Sequence, residues 1–368
     1  VFHAPGQLKV EDEGKGTKSL PMIKRKAIGN LILAANVAMT VLIGGTAQAQ
    51  QSPRAVTIGS NPAGTVFYAV ASAFGKVVSE STSFQMTVQP YTGTSTFLPL
   101  LNSGEIDFGV NNAVDMALSY QGPERLKIGG RNPYAHTPNA RLVMRGAPLL
   151  VGLLVRKDSP LKSVHDVKGK RVTGEYPAQL AVWYNLCGHL AAAGLTWADV
   201  KVVPVPAANE GVDALLQGRA DVTMHALNSA KVREADSTVG VRHLSTDCSP
   251  LGEQRLGRAV PGYYTRLMKP GSALAIVEDT CVIAYDIYLS THKTAPDQVV
   301  AGSLKAIWDN LEKLSPVHPI FKEWTRDRAV APDATMPYHP AAVQYYKDQK
   351  VWSANMDEAQ KKLLALNP

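Results

Sequence analysis

Short apolar runs alternate with amphipathic stretches along most of this chain, and small polar turns separate them. Val56-Thr57-Ile58 reads as a buried strand that stops at Gly59-Ser60-Asn61-Pro62-Ala63-Gly64-Thr65. Val66, Val70, Ala73, Phe74 and Val77 follow at helical spacing. Met86-Thr87-Val88 predicts a second strand and Thr92-Gly93-Thr94-Ser95 a second polar turn. Leu98, Leu100 and Leu101 then open a helix that ends at Asn102-Ser103-Gly104-Glu105. Ile106-Asp107-Phe108-Gly109-Val110 predicts a third strand. Twice, a strand delivers a Gly/Ser/Thr turn to a helix start. That arrangement places backbone N–H groups and hydroxyls at the carboxyl edge of a parallel sheet, where small anions and zwitterions bind without a catalytic group.

The pattern continues. Arg141-Leu142-Val143-Met144 predicts a closing strand, and the apolar run from Leu149 to Val155 a buried strand crossing into a second lobe. Arg171-Val172-Thr173 is a strand ending at Gly174-Glu175-Tyr176-Pro177, followed by a helix over 178–193 that Gly194 stops. A strand over 200–205 precedes a helix running to Gln217, with Asn209 as its N-cap. Gly218-Arg219-Ala220-Asp221-Val222-Thr223-Met224 echoes Gly104-Glu105-Ile106-Asp107-Phe108-Gly109-Val110, as two similar α/β lobes would. Strands over 273–276 and 280–285 return the chain to the first lobe. A helix over 295–314 and a long final helix over 340–352, entered through a proline-rich segment, complete the pattern. The predicted organisation is lobe one over 50–155, lobe two over 156–265, and a return with C-terminal helices over 266–368. Two crossing strands would then act as hinges around a cleft.

The 368 residues are enough for two domains with real cores, and 45% hydrophobic with 19% charged residues describes an ordinary globular protein. Residues 1–49 hold six basic against three acidic residues, so +3 of the formal charge of +7 lies there. The remainder has no Lys/Arg stripe interleaved with aromatics, which argues against nucleic acid. Residues 22–49 read as a signal peptide: Lys24-Arg25-Lys26 is the basic region, an apolar stretch follows, and Ala47-Gln48-Ala49 fits cleavage before Gln50. This points to export to the periplasm. Residues 1–21 precede Met22 as an upstream extension or a disordered leader. Cys187, Cys248 and Cys281 allow one disulfide at most, and the reading adopted for all three is small buried hydrophobes.

The order strand, G-S-x-x-x-G-T, helix, strand, T-G-T-S, helix, S-G-E-I-D-F-G-V resembles the solute-binding receptors of tripartite ATP-independent periplasmic (TRAP) transporters, the TAXI subfamily in particular. The stretch from Leu154 to Val172, Gly194-Leu195-Thr196, the stretch from Ala214 to Val222 and the stretch from Tyr338 to Tyr346 are further landmarks in matching order, so the resemblance spans nearly the whole exported chain. It implies an α/β, two-lobed, periplasmic-binding-protein-like (type II) fold with a ligand cleft between the lobes. It also implies a monomeric receptor that hands a small polar metabolite, a carboxylate or an amino acid, to TRAP transporter membrane subunits, with no cofactor.

Ser60, Asn61 and Thr65 at the first helix start, and Thr94 and Ser95 at the second, either hold ligand or cap helices, and the resemblance favours ligand contact. Asn111 and Asn112 end the third strand where such receptors carry a polar pair facing the cleft, and Asp115 reads as a helix cap. Glu175, Tyr176 and Gln179 stand where the family has a Ser/Gly/Thr-rich turn. Glu175 there would repel a bound carboxylate, so it either points away or pairs with a ligand cation. His225 and Asn228 follow the strand over 220–224 and face the same cleft if the echo between lobes holds. Tyr134, Tyr263 and Tyr264 either wall the cleft or pack in the core.

The nine histidines show no H-x-x-x-H or H-E-x-x-H spacing, and no Cys/His cluster offers zinc geometry, so no metal is expected. There is no G-x-S-x-G elbow and no phosphate loop, so the expectation is a binding protein rather than an enzyme. Two alternatives stand beside it: a periplasmic sensory receptor signalling to a membrane kinase, and a secreted enzyme for which Glu175 and His225 are the only nominees as base.

Overall fold

The computed structural model describes residues 54–367. The leader, the signal peptide and the start at Gln50 lie outside the described residues. Strand β1 (Arg54–Ser60) is flanked in parallel by β2 (Phe84–Pro90) and β3 (Phe108–Asn112). Helix α1 (Val66–Ser81) joins β1 to β2 and buries Val66, Val70, Ala73, Phe74 and Val77, the face its spacing predicts. Helix α2 (Thr94–Ser103) joins β2 to β3 and stops at Gly104, whose left-handed φ of 82° suits glycine. Helix α3 (Ala113–Gln121) leaves β3 directly.

Strand β4 (Ala140–Arg156) is 17 residues long and buried along almost its whole length. The second lobe follows as β5 (Arg171–Glu175), α4 (Leu180–Ala192), β6 (Lys201–Val205), α5 (Ala208–Leu216), β7 (Thr223–Ala226), α6 (Ala230–Val239), β8 (Val241–Leu244), α7 (Pro250–Ala259) and β9 (Tyr264–Met268). Strand β10 (Thr280–His292) then runs antiparallel to β4, from Ile283 opposite Val151 to His292 opposite Ala140. Towards one end β10 pairs with β3; towards the other, β10 pairs with β9, and β4 with β7 and β8. The two long strands are therefore common to both lobes. Helices α8 (Asp297–Asn310), α9 (Pro340–Asp348) and α10 (Ala354–Leu364) close the chain. The segment before α9 lies along β4, where Leu142 N donates to Pro337 O and His339 N to Leu142 O. None of the helices among the described residues is long and apolar enough to cross a membrane.

Several elements differ from the sequence pattern. The runs around Leu142 and Leu153 are one strand, because Gly146-Ala147-Pro148 stays extended. Pro148 sits opposite Asp286 beside a register shift, where a missing N–H is tolerated. Gly146 is needed there, since a Cβ would lie 2.3 Å from the Trp324 ring. Residues 273–276 form a turn with Ala275 at a φ of 61°, and the strand preceding β10 is β9 instead. The helix expected over 340–352 ends at Asp348, a further helix, α10, follows beyond that range, and α5 starts from Ala207 rather than Asn209.

The cysteines also differ from their reading as three free hydrophobes. Cys248 and Cys281 form a disulfide with Cα atoms 6.1 Å apart, and Cys187 is free. The bridge ties the approach to α7 to the start of β10, across a sequence separation of 33 residues. By loop-closure entropy it contributes about 3–4 kcal/mol. Urea denaturation of the Cys248→Ser/Cys281→Ser double variant is expected to show a loss of that order; a midpoint unchanged from the oxidised parent would contradict it.

Candidate functional site

Between the lobes lies a cavity of about 40 Å³, walled by Asn61, Thr65, Thr94, Asn112, Gln179, Asn185, His225 and Tyr285 with apolar neighbours such as Val66, Phe67, Val151 and Met224. Local structure explains why these side chains meet. Thr65 caps α1 through its Oγ1, which accepts from Tyr68 N at 3.2 Å. Asn112 caps α3 through its Oδ1, which accepts from Asp115 N at 2.7 Å. Thr94 is the first residue of α2, Gln179 precedes α4, and Ala208 is the first residue of α5. Five helices thus present their N-termini to one small space. The first turn of each leaves N–H groups without intrahelical partners, and each terminus carries partial positive charge. Asp, Glu, Lys and Arg are all missing from the described wall.

The polar groups on the wall hold one another in place. Thr94 Oγ1 donates to Asn61 Oδ1 at 3.1 Å. Gln179 Oε1 accepts from Ala208 N at 2.7 Å, satisfying a free donor of α5. Tyr263 Oη donates to Asn185 Oδ1 at 2.7 Å, and Asn185 Nδ2 donates to Tyr285 Oη at 3.3 Å. Burial holds His225 down to about 4, so its imidazole is neutral near pH 7. With Asn209 Nδ2 committed to Ala63 O at 3.0 Å, the Asn209 oxygen faces His225 Nε2 at 3.1 Å. His225 is then the Nε2–H tautomer, and its Nδ1 accepts from Ser229 Oγ at 2.9 Å.

Behind Asn112, Asp115 is fully buried. Its carboxylate accepts from Asn112 Nδ2 at 2.8 Å and from the Tyr134 hydroxyl. Desolvation pushes Asp115 up to about 7, despite the lowering influence of its hydrogen bonds to Tyr134, Thr94 and Asn112. Asp115 is therefore not the helix cap read from the sequence; Asn112 holds that place, and Asp115 lies three residues inside.

The twelve residues nominated from the sequence divide evenly. Asn61, Thr65, Thr94, Asn112, Gln179 and His225 are on the wall. Ser60 turns its hydroxyl to Asn61 O, and Asn111 donates to Ser290 Oγ of β10. Ser95 reaches across to the other lobe. Glu175 is exposed, with φ at 72°, and stands outside the cavity. Tyr176 is buried with its hydroxyl on Thr173 Oγ1. Asn228 accepts from Leu274 N away from the site. Asn185 and Tyr285 were missed. A lone amide in the apolar run of α4 is the one hint that could have pointed to Asn185. Of the three tyrosines, Tyr134 and Tyr263 are buried supports of the network and Tyr264 is exposed on β9.

The lobes are drawn together over the cavity. Ser95 Oγ donates to Ala178 O at 2.8 Å, Asn209 Nδ2 to Ala63 O at 3.0 Å, Lys231 N to Gly64 O at 3.2 Å and Tyr184 Oη to Arg131 O at 3.2 Å. The Arg131 guanidinium also lies 4.3 Å from the centre of the Trp183 ring. The seam is tightest at Gly93, where a Cβ would fall 1.8 Å from the Ala178 carbonyl oxygen.

Comparison with known proteins adds two findings. The model of the NMT1-like family matches residues 58–349. Among solved structures, one titled as a periplasmic transporter aligns with a TM-score of 0.51 and 14% identity, covering 84% of this chain and 96% of its own. PhnD1 from Prochlorococcus marinus, in complex with methylphosphonate, aligns with a TM-score of 0.51 and 10% identity, covering 82% of this chain and 100% of its own. At these identities the likeness is one of fold, and the fold is that of type II periplasmic binding proteins.

Two predictions follow from the geometry. The φ of Gly93 is 177°, which alanine adopts freely, so Gly93→Ala conflicts only with the opposite lobe. The variant is expected to keep its circular dichroism spectrum while solution scattering reports a larger radius of gyration; an unchanged radius would refute the seam. For Asp115, the folded state binds a proton that the unfolded chain has released between pH 4 and pH 7, so the group destabilises the fold as pH rises through that window. Asp115→Asn should therefore be more stable than the parent to urea at pH 8, by roughly 4 kcal/mol at most, and the gap should shrink towards pH 4. A gap that stays constant with pH would show that burial leaves Asp115 unshifted.

Proposed function

For a chain that belongs to the NMT1-like family, we propose the function of an extracytoplasmic solute-binding receptor that captures a small carboxylate between its lobes. The observation that carries this reading is the meeting of five helix N-termini on a cavity whose described wall has no charged side chain. Partial positive charge attracts an anion there, and first-turn N–H groups with the side-chain amides of Asn61, Gln179 and Asn185 supply donors. An amino acid fits less well than a simple carboxylate. Its ammonium group would need a carboxylate, and Glu175 lies outside while Asp115 sits behind Asn112. The space corresponds to about three waters, which favours a solute of few heavy atoms.

The mechanism is a population shift. Ligand bridging Asn61 and the starts of α1, α2 and α3 on one side with Gln179 and Asn185 on the other favours the closed form over an open one. Both nitrogens of His225 are engaged by Asn209 and Ser229, which supports binding over turnover. The membrane partner in this reading is a TRAP-type transporter in the surrounding envelope, and it rests on the landmark order from Gly59 to Val110 and from Tyr338 to Tyr346.

A thermal-shift series with acetate, glycolate, glycine and acetamide tests the ligand class, since a ligand of the folded state raises its melting temperature. The carboxylates are expected to raise it and acetamide to leave it unchanged. Thr65→Ala, which removes the N-cap that orders the first turn of α1, should weaken acetate binding by about tenfold and cost about 1 kcal/mol of stability without unfolding the chain. Stabilisation by acetamide alone would overturn the anion reading. Uptake by vesicles carrying TRAP membrane subunits, dependent on added receptor, tests the partner; uptake indifferent to the receptor would remove it.

A further inference from the structure

A second and larger cavity, of about 410 Å³, lies on the other side of Tyr285. Tyr285 is the one residue common to the two cavities. Its ring stacks on Tyr263 with centroids 4.9 Å apart and planes 18° apart, which makes an aromatic partition between the inner cavity and this chamber. The hydroxyls of the tyrosines along the chamber are already engaged: Tyr263 with Asn185, Tyr285 with Asn185, and Tyr288 with Thr335 N at 3.2 Å. What these residues offer the chamber is ring surface, joined by apolar side chains of α3 such as Val114 and Ala117.

The charges along the chamber are not balanced. Asp286 is held by Arg145 at 2.7 Å and by Arg328 at 2.6 Å, and Asp333 by Arg145 at 3.2 Å. Lys127, on the segment after α3, and Arg258, in the last turn of α7, are exposed at the chamber and enter no ion pair among the described residues. The net free charge is positive, one cation coming from each lobe. Its volume falls within the range of small-molecule sites.

We propose that this chamber is a second ligand site, distinct from the inner cavity, for an aromatic carboxylate. The flat ring body would lie against Tyr263, Tyr285 and Tyr288, and the carboxylate would meet Lys127 and Arg258. A ligand so placed touches both lobes and stabilises their closed arrangement independently of the solute in the inner cavity.

Isothermal titration of the purified protein with 2-naphthoate tests the site, with 2-naphthylmethanol as the neutral analogue. The expected results are binding of one naphthoate per chain, retained in Thr65→Ala, and a loss of about tenfold in Lys127→Gln/Arg258→Gln. Naphthylmethanol should bind the parent no better than naphthoate binds that double variant. Ala117→Phe, which fills the chamber from α3, should abolish naphthoate binding while leaving the acetate-induced thermal shift in place. Absence of naphthoate binding to the parent overturns the proposal. So does equal affinity for the neutral analogue, or loss of binding in Thr65→Ala with none in the rim double variant, which would place naphthoate in the inner cavity. Because acetate is read separately, failure of the inner site and failure of the chamber give different patterns.

Discussion

Everything in this molecule hangs on the antiparallel ladder between β4 and β10. Each strand begins in one lobe and ends in the other, and together they carry β3 on one side and β7, β8 and β9 on the other. Both strands are buried along nearly their whole length, so neither can shift register without moving apolar side chains to water. The ladder thus sets where the helix N-termini of the two lobes face each other. It also supplies Val151 and Tyr285 to the floor of the inner cavity.

For the anion proposed above, the cavity offers attraction with few charges. Helix termini give attraction for an anion without the desolvation cost of a buried lysine or arginine. The price of this arrangement falls on Asp115, a carboxyl that caps nothing and sits where water is excluded. Its proton, and the hydrogen bonds to Tyr134 and Asn112, keep a full negative charge from standing behind the site near neutral pH. Neutral His225 completes a wall that is polar but uncharged.

The sequence was most legible where structure is local. Strand, small polar turn and capped helix are written within a dozen residues, so the pattern marked Asn61, Thr65 and Thr94 as either caps or ligand contacts, and the family resemblance favoured contact there and added Asn112. The near misses have geometric causes. Neighbours along a strand face opposite ways, so Asn112 reaches the cavity while Asn111 meets Ser290 of the adjacent strand. Along a helix, one residue is a third of a turn, which carries Ser95 off the wall and onto Ala178. The positive φ angles at Glu175 and Tyr176 rotate that turn in a way composition does not disclose. Asn185 and Tyr285 lie inside regular elements, and only the tertiary approach of α4 to β10 gives them a role. The Cys248–Cys281 pair was invisible for the same reason.

The four hydrogen bonds named across the seam share one property: each is accepted by a main-chain carbonyl, at Ala63, Gly64, Arg131 or Ala178. One of the donors, at Lys231, is main chain as well. Such acceptors are present whatever side chain the residue bears. The other three donors are side chains, so the latch tolerates substitution on its acceptor side only. Asn209 belongs to seam and wall alike, since the amide that donates to Ala63 O turns its oxygen to His225, so a change of side chain there would be felt at both.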